Sequence, residues 1–448
     1  MDCIDYAGWP DRTGYWYALG LSAVPVPSQE STAAAPRSAL LVVFLVVVID
    51  LLGFAIVLPL LPRIADQYLQ GQPKIVVGST IGFLFSCFSL MQFFFAPLWG
   101  RLSDRIGRRP VLLVGLAGSV VFYTLFGYAA TIPTEQATLA LALMFAARIG
   151  AGIAGATIST AAAVIADCTP SHDRKRGMAL IGAAFGIGFT FGPLLAYAAI
   201  KEFPNQGHGA VGYVAAALSA VALGLGIALL TETRVPGRPS ERRGWLNWSS
   251  TLDVLRTPTL GLLVLTYFLA TFGFANFEST LSLLTKAAFS FTDDENFLVF
   301  AYVGFVLALV QGGIYRPLAK RFGEVTFIRM GVALMLLGLA GLGVLVATAG
   351  EGGHGDRGSF VGFLIALAVA VTGFAFLNPS VSSLVSRRAD ADRQGEVLGV
   401  NQSANALARI LGPTVGLALF PFASHVLPYA VASGLLLVVL AMTPRLQA

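Results

Sequence analysis

Ionisable side chains inside long apolar segments are the residues of this sequence that could carry out chemistry. Of the 24 Asp and Glu residues, only Asp50 and Glu278 fall within such segments, together with the basic residues Arg148 and Arg409. A charge in the hydrocarbon of a bilayer costs at least about 2.5–3.5 kcal/mol on insertion scales, so it needs a partner or a water-filled cavity. We therefore expect these four residues to mark a polar pathway through a membrane protein.

Asp50 and Arg148 are predicted to lie at similar depth, near the middle of the first and fourth apolar segments. Opposite charges at one depth form a plausible pair. A static ion pair that locks the N-terminal half is one interpretation. The other is a carboxylate that binds and releases a proton in response to the arginine and to a substrate.

Further polar residues recur at helical spacing inside apolar segments. Side chains three or four residues apart lie on one helix face, as do Gln402, Asn405 and Arg409 in the eleventh segment. The alternatives are internal hydrogen bonds and, for Glu278, extension of the side chain to the membrane surface. The sequence predicts a substrate cavity lined by Gln92, Tyr267, Thr271, Glu278, Asn378, Gln402, Asn405 and Arg409.

The elements that would position these residues are transmembrane helices. The 448 residues are 56% hydrophobic and 12% charged, against about 25% charged in ordinary globular proteins. This composition excludes a soluble multidomain enzyme and a disordered chain. An all-α integral membrane protein is predicted, with twelve spans at 39–61, 77–99, 111–131, 138–160, 178–200, 211–230, 259–281, 297–315, 330–348, 360–385, 397–420 and 427–443.

Basic residues predict the orientation of these spans. With both termini inside, the inner segments hold 22 of the 29 Lys and Arg residues and the outer loops hold five, Arg63 among them. Cytoplasmic loops of membrane proteins are enriched in these residues. The two halves also resemble each other, as transporters built from repeats do. We divide the chain into a cytoplasmic tail (1–38), a six-helix bundle (39–231), a cytoplasmic linker (232–258) and a second, pseudo-symmetric six-helix bundle (259–448).

Several classes of function lack their sequence signals. The sequence has no GxxxxGK[ST] phosphate-binding loop, which argues against transport driven by ATP hydrolysis. Its four histidines fall in loops or at span ends, which argues against a histidine proton relay or a membrane metalloenzyme. Three scattered cysteines fit neither a disulfide framework nor a CxxC metal site. We predict no enzymatic activity, no cofactor, no metal and no nucleic-acid partner.

Two glycine-containing motifs could control conformation. Asp104 of the loop GRLSDRIGRRP (100–110) can pair with Arg108 or cap a neighbouring helix N-terminus. Such pairs would form a conformational latch, or the loop would simply fix topology. The motif residues are Gly100, Asp104, Arg105, Gly107, Arg108 and Arg109. The fifth span carries Gly188, Gly192 and Pro193, which permit close helix contact and a bend. Sealing or hinging the pathway and ordinary packing both remain open for this motif.

These motifs resemble those of a known family. GRLSDRIGRRPVLL (100–113) resembles the loop 2–3 signature of the major facilitator superfamily, and RIGAG (148–152) is similar to the fourth-span motif of its proton-driven members. GFTFGP (188–193) resembles the antiporter motif. LMQFFFAPLWGRLSDRIGRRPVLL (90–113) is similar in particular to tetracycline efflux carriers among the twelve-span drug:proton antiporters.

The resemblance implies a function for each motif. Asp50 and Arg148 would serve proton coupling, Asp104 and its arginines gating, and Gly188, Gly192 and Pro193 the antiport mode. The chain would be a monomeric carrier in a bacterial inner membrane that exchanges protons for small amphipathic, tetracycline-like compounds by alternating access. Two alternatives are a proton symporter importing a nutrient or metabolite, and a non-transporting sensor or assembly protein on the carrier fold.

Overall fold

The computed structural model describes residues 37–168, 174–233, 248–319, 321–349, 357–389, 394–422 and 425–446. These ranges are helical almost throughout, since in lipid each backbone polar group must be bonded within its own segment. The N-terminal half contains span 1 (Arg37–Val57 and Leu61–Tyr68), span 2 (Lys74–Ile106), span 3 (Arg108–Ala129), span 4 (Ala137–Ala154, Gly155–Thr157 and Ile158–Cys168), span 5 (Arg174–Glu202) and span 6 (Gly209–Leu229).

The C-terminal half repeats this pattern after a short helix, Trp248–Arg256, in the predicted linker. It contains span 7 (Pro258–Phe289), span 8 (Asp293–Leu309, a π-helical turn Val310–Tyr315, and Arg316–Leu318), span 9 (Glu324–Ala349), span 10 (Arg357–Arg388), span 11 (Gln394–Leu419) and span 12 (Leu427–Met442). Of the predicted N-terminal tail, residues 1–36 lie outside the described residues.

Among the described residues, eleven helical segments are long and apolar enough to cross a membrane. Span 11 is the remaining predicted one, a helix of 26 residues that packs against spans 7 and 2. It carries Gln402, Asn405 and Arg409, which lower its apolar content. Its packing between the two halves explains how a helix with this polar stripe fits among more apolar ones.

The helices pack within each half and at two seams between the halves. Span 1 contacts spans 5 and 6, span 3 contacts span 6, span 7 contacts span 11, and span 9 contacts spans 10 and 12. The halves meet where span 2 lies against span 11 and span 5 against span 8. Phe297 of span 8 and Leu417 of span 11, both fully buried, belong to the apolar cluster of the N-terminal half.

Glycines permit the close approach of helices at these seams. A Cβ on Gly82 of span 2 would lie 2.9 Å from Cα of Thr414 in span 11, and one on Gly304 of span 8 would overlap the carbonyl of Phe189 in span 5. Lipid tails are as apolar as hydrophobic side chains, so the hydrophobic effect does not drive helices together in a membrane. Helix association there depends on close packing at small residues such as these. The seams are therefore backbone-to-backbone contacts.

Span 1 is broken by two prolines. Its first helix ends at Val57 and its second begins at Leu61, around Pro59 and Pro62. Proline has no N–H to donate and clashes with the preceding turn. The break places the short second helix, including Arg63, against the C-terminal half, where it contacts span 7.

Candidate functional site

Asp50 lies half-buried in span 1 and accepts a hydrogen bond from a neighbouring helix. The donor is Ser119 Oγ of span 3, 3.3 Å from Asp50 Oδ1. Ser119 itself is fully buried, with 1% of its surface exposed. A neutral hydroxyl, and not a positive charge, is therefore the group that holds this carboxylate.

Arg148 of span 4 is buried, with 2% of its surface exposed. Its guanidinium carbon lies 4.6 Å from the ring centroid of Phe88, and its Nε and Nη1 atoms have no hydrogen-bond partner. Such a cation over an aromatic face is held by the ring quadrupole. Two nitrogens of this guanidinium are therefore free to donate to another acceptor.

The suggested ion pair between Asp50 and Arg148 is not formed in this conformation. Asp50 is bonded to Ser119, while Arg148 stacks on Phe88. The phenol of Tyr123 in span 3 lies within electrostatic range of both charges. Equal depth in the membrane does not fix the rotation of each helix about its axis, and this rotation decides which side chains meet.

An aromatic wall beside Arg148 was not anticipated from the sequence. Phe54 of span 1 stacks on Phe88 at a centroid distance of 4.6 Å. Phe189 of span 5 meets Phe54 edge-on at 6.3 Å and Phe185 at 6.4 Å. Spans 1, 2 and 5 thus contribute a row of rings, one of which stacks on a buried cation, a combination suited to a compound with apolar rings and a charged group.

The glycines of span 4 make close backbone contacts. A Cβ on Gly152 would lie 2.9 Å from Met91 Cβ of span 2. Gln92 Nε2 donates to the carbonyl of Gly155 at 3.2 Å, where span 4 has its 3-10 segment Gly155–Thr157. Gln92, predicted to line the cavity, is thus tied to the backbone of span 4.

In the C-terminal half, the predicted cavity residues of spans 7, 10 and 11 come close together. Tyr267 Oη donates to Asn378 Oδ1 at 2.7 Å, and the buried Thr271 hydroxyl has no partner. The charge of Arg409 acts on both Tyr267 and Glu278. This half therefore also contains an acid and a guanidinium near one phenol.

Span 11 presents its remaining polar residues differently. Gln402 is exposed and Asn405 is half-buried, whereas Asn401, which the sequence analysis did not select, is fully buried. Neither polar atom of the Asn401 amide has a hydrogen-bond partner. The stripe at spacing 3 and 4 thus identified a polar helix, but it did not identify the most buried amide.

The 100–109 motif is largely helical, contrary to its prediction as a loop. Span 2 continues to Ile106, and span 3 begins at Arg108. Gly107 alone separates them, with φ +111°, where a Cβ would also overlap the carboxylate of Glu232. Only glycine adopts this backbone conformation readily. Because one residue connects the two helices, their ends are held rigidly together.

The expected pairing of Asp104 with Arg108 is confirmed, and two further acids join it. Arg108 Nε lies 3.3 Å from Asp167 Oδ2 of span 4. Glu232, just after span 6, accepts from the backbone N–H of Arg108 at 2.8 Å and of Arg109 at 3.1 Å. Negative charge at a helix N-terminus is favourable, so the start of span 3 is held by Asp104, Asp167 and Glu232.

The remaining arginines of the motif are exposed or bond to a backbone carbonyl. Arg109 Nη2 donates to the Ile227 carbonyl of span 6 at 2.7 Å. Gly100, Arg101 and Arg105 lie in the last turns of span 2, where both arginines are exposed. Arg109 therefore ties spans 3 and 6 together, beside the acidic cluster.

Gly188 and Gly192 place span 5 directly against span 1. A Cβ on Gly192 would lie 2.7 Å from Ala55 Cβ, and one on Gly188 would lie 3.1 Å from the Leu51 backbone. Pro193 lies inside the continuous helix Arg174–Glu202. These glycines face the turns of span 1 that follow Asp50, so GFTFGP (188–193) contacts the helix that carries Asp50.

The prediction that Arg63 lies in an outer loop is wrong. It lies in the second helix of span 1 and is 4% exposed. Its guanidinium bonds to spans 7 and 8. The available sequence signal was an arginine directly after Pro59-Leu-Leu-Pro62, since two prolines and a charge at a span end suggest a special turn.

Among the described residues, no three or more His, Cys, Asp or Glu side chains cluster as metal ligands would. The candidate site instead offers single carboxylates, guanidinium groups, phenols and aromatic rings. Such groups bind and orient an organic molecule or a proton.

Comparisons with known proteins agree with this architecture. The sequence profile of the Major Facilitator Superfamily matches residues 43–413. The class C tetracycline resistance protein of Escherichia coli is 32% identical over 389 residues, 86% of this chain and 90% of that protein. Major facilitator superfamily domain-containing protein 10 of Bos taurus is 30% identical over 471 residues, 93% of this chain and 95% of that protein.

Solved structures give the same fold. The crystal structure of the human organic anion transporter MFSD10 (TETRAN) matches with a TM-score of 0.65 at 28% identity, covering 91% of this chain and 99% of that one. A D-xylose-proton symporter matches with a TM-score of 0.73 at 16% identity, covering 91% and 97%, which shows the fold alone. Since the family profile spans most of its length, this chain belongs to the major facilitator superfamily.

Proposed function

We propose that the protein exports small amphipathic compounds in exchange for protons. The observation that carries the proposal is Asp50, an acid inside a span that is bonded to Ser119 and not neutralised by Arg148. A carboxylate held by a neutral hydroxyl can take up or release a proton without first breaking an ion pair. Its helix contacts the antiporter motif at Gly192, and tetracycline resistance proteins are among the relatives.

The described conformation fits the loading step of such a cycle. Polar contacts join the two halves at the predicted outer face, through Arg63 to Asp293 and Lys286 to Asp66. At the predicted inner face, Arg108 pairs with Asp104 within the N-terminal half and Arg387 with Glu324 within the C-terminal half. We assign this conformation to the state that takes up substrate from the inside.

A second candidate, an organic anion carrier, is favoured by Arg148. Two nitrogens of this buried guanidinium, Nε and Nη1, have no partner, and a carboxylate would accept charge-assisted hydrogen bonds from both. The aromatic wall of Phe54 and Phe88 stands beside it. The solved structure that is 28% identical is that of the human organic anion transporter MFSD10 (TETRAN).

Proteoliposomes with an imposed pH gradient distinguish these candidates. The panel contains tetracyclines, lipophilic cations and aromatic carboxylates, and the readouts are internal pH and substrate content. Proton movement opposite to tetracycline or cation movement supports the proposal, whereas a response to carboxylates alone supports the anion carrier. Proton and substrate movement in the same direction identifies a symporter, and binding without flux identifies the sensor.

The predicted orientation, with both termini inside, belongs to the same proposal. An outward-pumping carrier of this arrangement would load its substrate from the side that carries the basic loops. Proteolysis or labelling of the N-terminal tail from one side of sealed cells tests it. The bacterial inner membrane remains a prediction from resemblance.

A further inference from the structure

Arg63 makes a set of contacts that the transport residues do not account for. Each of its three guanidinium nitrogens donates across the boundary between the two halves. Nε lies 3.2 Å from the Ser282 carbonyl and 3.1 Å from Ser282 Oγ. Nη2 lies 3.0 Å from Thr285 Oγ1, and Nη1 lies 3.0 Å from the Phe291 carbonyl and 2.8 Å from Asp293 Oδ1.

The break in span 1 contributes to the same junction. The Pro59 carbonyl accepts from Ser282 Oγ at 2.7 Å and from Asn296 Nδ2 at 3.1 Å. Ser282 Oγ therefore donates once and also accepts from Arg63 and Asn296, which uses the whole bonding capacity of a hydroxyl. The turn at residues 59–63 is thus joined to spans 7 and 8 by several hydrogen bonds.

Asp293 connects this junction to a third helix. Its second carboxylate oxygen lies 2.7 Å from Nε2 of His208, directly before span 6. Asp293 is the first residue of span 8, behind a capping box formed by Thr292 and Glu295. Negative charge in the first turn suits a helix N-terminus, so the carboxylate is held in place to receive two cations or donors from the opposite half.

Burial distinguishes this cluster from the other ion pairs of the same face. The Arg63 side chain is 4% exposed and that of Asp293 28%. By contrast, Lys286 and Asp66 are 52% and 39% exposed, and Lys201 and Asp294 are 53% and 41% exposed. Exposed pairs contribute little to stability. A buried charge that loses its partner is strongly unfavourable unless water reaches it.

We propose that Arg63, Asp293 and the groups bonded to them form a lock that holds the predicted outer face closed, and that its strength sets the fraction of molecules open to the outside. Opening this face separates span 1 from spans 7 and 8 and so must break the Arg63 contacts together. Water then hydrates Arg63 and Asp293, so that neither charge is left buried without a partner in the open state. The inference rests on the proposed carrier function only through alternating access, and not on proton coupling or on the substrate.

Distance measurements by electron spin resonance test the lock. Spin labels at Glu135→Cys and Phe422→Cys, on exposed residues of the two halves at this face, are introduced with the native cysteines replaced by serine. We expect the parent protein to show mainly the short distance. Arg63→Gln and, separately, Asp293→Asn should raise the ratio of long to short distances by about tenfold or more, the effect of breaking a buried charge pair.

Two further variants give matched controls. Lys286→Gln removes an exposed ion pair from the same face and should leave the distance distribution unchanged. Arg63→Lys keeps the charge but cannot make the fork of bonds, so it should give an intermediate distribution. Asp293→Asn keeps the test valid if Arg63→Gln does not fold.

The proposal is overturned if folded Arg63→Gln or Asp293→Asn keeps the parent's distance distribution, or if Lys286→Gln shifts it equally. The readout needs no substrate and no pH gradient. Failure of the lock therefore leaves the proposed transport function untouched, and failure of proton coupling leaves the lock untouched.

Discussion

Arg148 owes its position to packing as much as to charge. Phe88 supports one face of its guanidinium at 4.6 Å, Phe54 supports Phe88, and Gly152 lets spans 4 and 2 approach each other. A planar guanidinium stacks on a ring and still offers donors at its edge, which the compact ammonium of lysine does not. These contacts predict that a positive charge alone is insufficient for transport at position 148.

Arg148→Lys should slow substrate exchange by about tenfold or more, equivalent to about 1.4 kcal/mol in the transport barrier. The lost stacking and the changed donor geometry are the reason. Radiolabelled substrate exchange in proteoliposomes measures the rate, with thermal unfolding as a check on folding. Arg329→Lys is the control, since Arg329 donates to the Thr443 carbonyl away from the site. Exchange at the parental rate in Arg148→Lys would show that only the charge matters.

At the scale of elements, spans 1 and 5 make a close backbone contact within the candidate site. Ala55 follows Asp50 by just over one turn, and Gly192 packs on its backbone. Overpacking such a contact costs about 1–3 kcal/mol, because neither helix backbone can yield. Gly192 is therefore expected to be required for folding stability as well as for the proposed antiport.

Gly192→Ala should lower the thermal unfolding midpoint in detergent. Its new Cβ would lie 2.7 Å from Ala55 Cβ and 3.0 Å from the backbone of Ala55 and Ile56. Gly224→Ala is the matched control, because a Cβ there has no atom within 4 Å. Removing a helix glycine at an open position should be neutral or stabilising by about 0.5–1 kcal/mol. Equal midpoints for the two variants would contradict the packing argument.

The acidic cluster around Arg108 is a second contact between helices. Asp104 of span 2 and Asp167 of span 4 both pair with this arginine at the start of span 3. Charge pairs that join three helix ends can be exchanged when the helices move relative to one another. They are partly exposed, so their contribution to folding stability is small.

Asp104→Asn should slow exchange several-fold, about 1 kcal/mol or more in the transport barrier, while shifting the unfolding midpoint little. The change removes one of two counter-charges of Arg108, and Asp167→Asn should act in the same direction. Glu135→Gln, at the predicted outer face, serves as the control. A normal rate in both cluster variants would assign the motif to topology alone.

Sequence patterns predicted the helices better than their contacts. Apolar length located the helices long enough to cross a membrane, because bilayer thickness fixes helix length. The glycine motifs marked a turn of positive φ at Gly107 and a close backbone approach at Gly192. These features depend on neighbouring residues along the chain, and so they can be read from it.

Contacts across the molecule were not predictable in the same way. Arg63 meets Ser282 more than 200 positions away, and Glu232 meets the start of span 3 across 124 positions. Which residues meet depends on helix rotation and on how far each helix extends beyond the apolar core. The Asp50–Arg148 pairing failed for this reason, although both residues were correctly identified as buried or half-buried ionisable groups within spans.

At the scale of the whole molecule, the two halves make contact through unlike surfaces. Glycine seams join spans 2 and 11 and spans 5 and 8, while the Arg63 cluster joins span 1 to spans 7 and 8. A glycine seam allows helices to rock, whereas buried polar bonds are made or broken as a set. This division suits a carrier that alternates between two conformations.

Asp50→Asn in proteoliposomes tests the central claim, that Asp50 couples protons to transport, most directly. Two rates are compared for a compound identified from the panel: substrate–substrate exchange without a gradient, and accumulation driven by a pH gradient. The amide keeps the size and the hydrogen bond to Ser119 but cannot carry a proton. We expect exchange to persist and gradient-driven accumulation to disappear, with Glu135→Gln behaving as the parent. Accumulation at the parental level in Asp50→Asn would contradict the account.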